Sequence, residues 1–220
     1  MPCFSFSRTQ EILTTIHDIY GDDENFSVPV VVDSRLSCEI CELYKNLLNG
    51  EDLLKWKDIC QWNNLIFIKE KEDSLQCISD SKPKIVISSS GFCTNGRIVD
   101  YLKHYMRDRN SMVIFTGYTG DNPSYLSYRI KNNRANKTIK INKEQIPNRA
   151  DCITLATFSS HANFDDLVKY GSSLNTNKLI LVHGSTEAKK CLAEKLREEI
   201  SNNDKTYRVL ESHRGMIVRL

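Results

Sequence analysis

Apolar residues recur with two different periods along this chain, and the switches between them predict the order of elements. Ile12, Leu13, Ile16 and Ile19 fall at helical spacing and predict a helix over residues 8–20. A polar stretch, 21–27, leads to Val28-Pro29-Val30-Val31-Val32, a β-branched run that reads as a buried strand. Pro29 sits near its start, where a missing N–H is tolerated. Asp33-Ser34 ends the strand and suits the cap of a helix over 36–48. Residues 51–80 carry a weaker pattern: a short strand within 61–68, then a charged segment, 69–74, that reads as a solvated face. Lys84-Ile85-Val86-Ile87 is another strand, a helix follows over about 95–106, and Met112-Val113-Ile114-Phe115-Thr116 is the next strand. The order βαβαβ predicts a parallel sheet flanked by helices.

Beyond residue 124 the character changes. Between 132 and 148, polar and basic residues alternate with Ile139, Ile141 and Ile146, which suggests antiparallel strands. A strand over 151–158, a helix over 164–170, a strand over 179–182 and a strong amphipathic helix over 186–200 follow, with short strands at 207–210 and 216–220. The expected boundary lies near Ser124, where the Rossmann-like pattern gives way to mixed sheet.

A chain of 220 residues is long enough to bury a sizeable core, and 40% hydrophobic with 26% charged residues is ordinary for a globular protein. The formal net charge of +2 supplies no global field to attract nucleic acid, so phosphate binding would have to come from a local patch. No stretch is apolar for long enough to span a bilayer, and the N-terminus has no signal-peptide run, so a cytoplasmic protein without membrane contact is expected. The eight cysteines are scattered and are expected to be reduced. The single CxxC, Cys38-Glu39-Ile40-Cys41, lies inside a predicted helix without a second pair, and reads as helix cysteines rather than half a zinc site.

Three strand ends gather unusual residues, and in parallel α/β sheets ligands bind beyond the carboxyl ends of strands. The first is Ser88-Ser89-Ser90-Gly91, with Asn95-Gly96-Arg97 at a helix start. Small hydroxyls and backbone N–H groups before a helix suit a phosphate, and Arg97 offers a fork of donors; a serine-rich turn is the bland alternative. The second, Phe158-Ser159-Ser160-His161-Ala162-Asn163, puts a histidine just past a strand, suited to acid–base work, to metal binding or simply to polar surface. In the third, Leu181-Val182-His183-Gly184-Ser185, four apolar residues deliver His183 to a strand end; one histidine makes no zinc site, which needs three or four protein ligands.

In this order the pieces resemble the β-CASP family of metallo-β-lactamase-fold ribonucleases. Pro2 to Glu11 is similar to the family's "PAFAxGRxQE", Val28 to Leu36 to "iPVxxDSPLA", and Ser88 to Arg97 to "SSGMxxGGR". Tyr101-Leu102-Lys103-His104-Tyr105 matches "LKHY", Phe115 to Tyr118 resembles "FVGYQ", Phe158 to Asn163 "FSAHAD", and Leu181 to Gly184 "LVHGE". The resemblance covers nearly the whole chain. It implies an α/β fold: a Rossmann-like parallel sheet, the β-CASP domain, over 1–124, followed by part of a metallo-β-lactamase αββα fold over 125–220. It also implies that His161 assists phosphodiester cleavage, that His183 is a zinc ligand, and that Ser89, Ser90, Gly91, Arg97, Lys103 and Tyr118 face RNA.

There are departures from the pattern. Asn163 stands where the family usually has aspartate, Phe92 and Asn95 replace methionine and glycine, and Ser185 replaces an acidic residue. The family's HxHxDH motif is not in this sequence, and among His17, His104, His161, His183 and His213 no two have metal-ligand spacing. The family holds two zinc ions; at most one ligand is expected here, so the chain alone is expected to be inactive. A missing metallo-β-lactamase half, a partner subunit, or a second copy in a homodimer would complete it. The competing expectation is a non-catalytic RNA-binding or scaffolding subunit paired with an active partner. A Rossmann-like small-molecule enzyme finds no GxGxxG or P-loop in its support. A truncated two-sheet fold also predicts an exposed apolar face on the C-terminal segment.

Overall fold

A computed structural model describes residues 1–155, 158, 162–202 and 206–218. The chain forms two compact units, residues 1–160 and 161–220.

The first unit is organised by β1 (Val30–Asp33), whose four residues are all buried. It lies between β2 (Leu65–Ile68) and β3 (Ile85–Ile87), parallel to both, with Val30 opposite Leu65 and Ile85. A central parallel strand is covered on both faces, which is why its sequence is a continuous valine run. Pro29 stands just outside β1 and needs no ladder donor there; its carbonyl accepts from Ile85 N–H (2.8 Å). Helix α1 (Arg8–Tyr20) buries Ile12 and Leu13, and α2 (Arg35–Leu47) starts at a Ser34 cap whose Oγ accepts from Ser37 N–H. Residues 51–80, weakly patterned, contain α3 (Gly50–Gln61) and α4 (Lys71–Ser79). In α3 only Trp56 and Ile59 are buried while Leu54 faces outward, so the apolar period is blurred.

After α5 (Arg97–Tyr105), β4 (Met112–Phe115) does not join β3 among the described residues. Its parallel partner is β7 (Asp151–Thr154), with Met112 opposite Asp151. Between them come α6 (Leu126–Asn132) and the antiparallel hairpin β5 (Thr138–Ile141) and β6 (Glu144–Pro147). Its turn has Asn142 in the left-handed region, φ 54°, as tight hairpin turns require. Period-two alternation buries Ile139, Ile141 and Ile146 against Met106, Phe115, Leu126 and Ile130 and turns Thr138 and Lys140 outward. Residues 125–155 therefore share a core with what precedes them, and the two compact units divide between residues 160 and 161.

The second unit contains α7 (Phe164–Ser173), β8 (Lys178–Leu181), α8 (Thr186–Asn202) and β9 (Arg208–Glu211), with β8 parallel to β9. Ala193, Leu196, Ile200, Tyr207 and Val209 form its core. A Cβ on Gly171 would come within 2.6 Å of Leu196, so glycine sets how closely α7 approaches α8. Phe164, Leu167, Tyr170, Val182 and Ile217 are exposed in this segment. Residues 216–218, expected as a strand, are irregular.

All eight cysteines are free thiols, and Cys38 and Cys41 are buried on α2, as helix cysteines. Burial pushes Cys41 and Cys93 from 9.0 to about 12. The folded state thus favours the protonated thiol. The unfolded chain releases that proton first, so stability falls as pH rises above 9. Maleimide labelling of the native protein at pH 8 is expected to modify exposed Cys191 first and to reach Cys41 and Cys93 only on unfolding; early labelling of Cys41 would contradict this packing. Ile141→Ala, which opens a cavity in the hairpin core, is expected to cost about 2–5 kcal/mol in urea unfolding.

Candidate nucleic-acid interface

The strand ends of the first unit are tied together by one buried carboxylate. β1 delivers Asp33, fully buried, to its C-terminal end. Arg97, the first residue of α5, donates from Nη1 to Asp33 Oδ1 (2.6 Å), and Tyr101, one turn on, donates from its hydroxyl to Oδ2 (2.7 Å). Arg97 also donates to Ile68 O (3.2 Å) and Lys69 O (2.6 Å) at the end of β2. From the β3 side, Ser88 Oγ donates to Asp33 O (2.6 Å). Burial and the bond to Asp33 push the Tyr101 phenol far above its ordinary range. The Arg97 fork expected to meet phosphate is therefore engaged inside the protein. It fixes the ends of β1 and β2 relative to the start of α5, and Ser88 adds the end of β3.

On this base sits the serine turn. Ser34 Oγ and Ser89 Oγ are 2.8 Å apart, linking the α2 cap to the end of β3. Ser90 Oγ accepts from Thr94 N–H (3.2 Å), and Ser90 O accepts from Cys93 N–H (3.0 Å), closing a compact turn. Gly91 packs under Phe4, whose ring would lie 3.1 Å from an added Cβ. Gly96 has φ +81°, and a Cβ there would stand 2.4 Å from Ser89 O, so only glycine lets the turn meet the helix. The first turn of α5 has no side-chain cap. Its N–H groups are of the kind that anions bind.

Four aromatic residues, from separate parts of the chain, join this turn. Phe92 stacks on Tyr125 (4.9 Å between centroids) and meets Phe4 and Tyr118 edge-on (5.0 and 6.1 Å). Phe4 is 45% and Tyr118 66% exposed. Ser127 on α6 donates to Phe92 O (3.0 Å) and Thr119 O (2.7 Å), pinning the two loops together. Sequence inspection singled out Tyr118 but not Phe4, Phe92 or Tyr125; the available signal was an aromatic beside each strand-end turn. Tyr118 also donates to Asp121 (2.7 Å), and the Lys103 ammonium is paired with Glu144 of β6.

His161 lies outside the described residues. Asn163, two positions on, is the cap of α7: its Oδ1 accepts from Asp166 N–H (2.9 Å). Aspartate would serve this cap equally well, so the cap does not explain the amide. His183 follows β8, exposed, with φ 70°, and Gly184 has φ 95°. Ser185 Oγ accepts from Ala188 N–H (3.1 Å) and caps α8, a role that accounts for a small hydroxyl there. Among the described residues, no group of three or more His, Cys, Asp or Glu side chains is placed to hold a metal ion, so His183 does not by itself fit a zinc centre. No helix among them is long and apolar enough to cross a membrane.

Residues 9–123 match the Beta-Casp domain, and residues 145–207 match the Zn-dependent metallo-hydrolase RNA specificity domain. The chain belongs to the β-CASP family of metallo-β-lactamase-fold RNA nucleases. Over 84% of its length it is 30% identical to a probable RNase MJ4 of Methanocaldococcus jannaschii, covering 40% of that protein. Over 87% it is 26% identical to the transcription termination factor FttA of the same organism, covering 31%. Over 84% it is 25% identical to the endoribonuclease YSH1 of Kluyveromyces lactis, covering 25%. The chain thus spans between a quarter and two fifths of the length of these relatives.

Arg97→Ala would leave the Asp33 carboxylate buried and unpaired, and is expected to cost about 3–5 kcal/mol of stability, with Arg97→Lys restoring only part. A loss below about 1 kcal/mol in denaturant unfolding would mean the pair does not hold the strand ends.

Proposed function

We propose that this chain is the RNA-facing part of a zinc-dependent, RNA-processing phosphodiesterase. Residues 1–124 act as the β-CASP domain and 125–220 as the closing portion of the metallo-β-lactamase domain. The observation that carries this reading is the strand-end cluster: a serine turn, an uncapped helix start and exposed aromatic faces, held on the Asp33 network. Ser89, Ser90 and Gly91, with the first turn of α5, hold a phosphate. Tyr118 and Phe4 offer faces on which bases stack, a mode of binding that tolerates any sequence. Arg97 acts by positioning this turn, and Lys103, on the same helix, is a further RNA contact.

In the same reading His161 donates a proton to the leaving oxygen. His183 is one zinc ligand of a two-ion site whose other ligands come from outside the described residues. They would lie on a longer form of the chain, on a partner subunit, or on a second copy. The protein would work in the cytoplasm with its cysteines reduced. Asn163 favours a second reading, a non-catalytic RNA-binding subunit, because an amide two positions after His161, where the family usually has aspartate, lacks the charge that raises a histidine's proton affinity.

The chain is expected to bind single-stranded RNA at low salt, and Tyr118→Ala to weaken binding about fivefold to a hundredfold. No RNA affinity at low salt would overturn both readings. Once the chain is combined with the missing metallo-β-lactamase half, cleavage is expected to fall about a hundredfold or more in His161→Ala. If the combined protein binds RNA without cutting it, and Asn163→Asp does not restore cutting, the non-catalytic reading stands.

A further inference from the structure

Positive charge in this chain is concentrated in one place. Of the 25 residues 126–150, seven are Lys or Arg and one is acidic, leaving 23 basic and 27 acidic residues in the rest. The near-neutral total conceals a basic segment on an otherwise slightly acidic chain. Folding places three of the seven, Arg129, Lys137 and Lys140, around a groove of about 460 Å³ between α6 and the hairpin. Arg129 comes from α6 and Asn133 from its C-terminal cap, Asn136 and Lys137 from the loop after it, Lys140 from β5 and Gln145 from β6. Lys140 and Gln145 are cross-strand neighbours, and both are exposed. Arg129 is anchored by a bond from Nη1 to Lys140 O (2.8 Å), while its Nε is buried without an acceptor.

We propose that this groove is a second RNA-binding site, separate from the strand-end cluster, which takes the phosphodiester backbone of a single strand. The inference rests on the reading of the chain as RNA-facing. The lining supplies guanidinium, ammonium, amide and hydroxyl groups, and includes neither a carboxylate nor an aromatic ring. Donors without rings contact phosphate and sugar and leave the bases unread, so the site is indifferent to sequence. An acidic peptide would also be drawn to the charge. The three carboxamides favour RNA, because each can both donate to a phosphate oxygen and accept from a 2′-hydroxyl. Together the two sites give the strand separate footholds, one stacking bases and one gripping the backbone.

The test is fluorescence anisotropy of the 220-residue chain with a labelled single-stranded RNA across a salt series. It compares wild type, Lys137→Gln/Lys140→Gln, and the control Lys57→Gln/Lys71→Gln, which removes two exposed lysines from α3 and α4. The groove variant is expected to bind roughly tenfold more weakly near 100 mM salt. Its slope of log affinity against log salt should flatten by about 1.4, the amount for two phosphate contacts on a single strand. Equal losses in the control would reduce the effect to net charge and overturn the site. Wild-type binding that the groove variant leaves unchanged would overturn the site and keep the RNA-facing reading. No binding by wild type would overturn that reading and the site with it. Polyglutamate binding lost in the groove variant, with RNA binding intact, would give the groove to an acidic peptide instead.

Discussion

A single buried carboxylate sets the geometry of the candidate site. Asp33 carries its charge at the end of a fully buried strand, and such a charge is tolerated only when it is paired and hydrogen-bonded. Arg97 and Tyr101 meet that demand from one helix face, and in doing so bring α5 to the ends of β1 and β2. Ser88 adds β3. The serine turn and the uncapped helix start have a defined place because this demand is met; without it they would be a polar loop. The same bonds engage both terminal nitrogens of the Arg97 guanidinium within the protein.

Much of this was legible in the sequence, because the relevant signals are local. The valine run, the serines after Ile87 and the glycine before Arg97 are consequences of a buried parallel strand and a tight strand-to-helix turn, and such features leave marks within a few residues. The role of Arg97 was not legible: its partner is 64 residues away, and arginine at a helix start reads the same whether it faces inward or outward. Phe4, Phe92 and Tyr125 were missed for a similar reason, since a cluster built from separate strand ends has no period. Helix α3 escaped notice because exposed Leu54 blurs the face marked by Trp56 and Ile59. The hairpin was read because its isoleucines alternate with polar residues, yet alternation could not reveal that it packs beside Met106 and Phe115.

The two surfaces proposed for RNA differ in their physics. At the strand ends, charge is internal and neutralised, and what faces outward is hydroxyl, backbone and ring. On the hairpin, apolar residues are internal and charge is displayed. Screening by salt acts on the charge contacts of either surface and little on base stacking.

The pairing of β4 with β7 also matters while the chain is being made. β1, β2 and β3 have all emerged by residue 87, so that sheet can form at once. β4 must wait for a partner 39 positions later in register, an interval of about 2–8 s at the usual pace of synthesis. In that interval Met112–Phe115 shows an unpaired edge, while α6 and the lysine-rich hairpin are the next segments to leave the ribosome. Their apolar side is what later packs beside Phe115, and the charged side chains of the hairpin face away from that core, the kind of flanking charge that discourages edge-to-edge association.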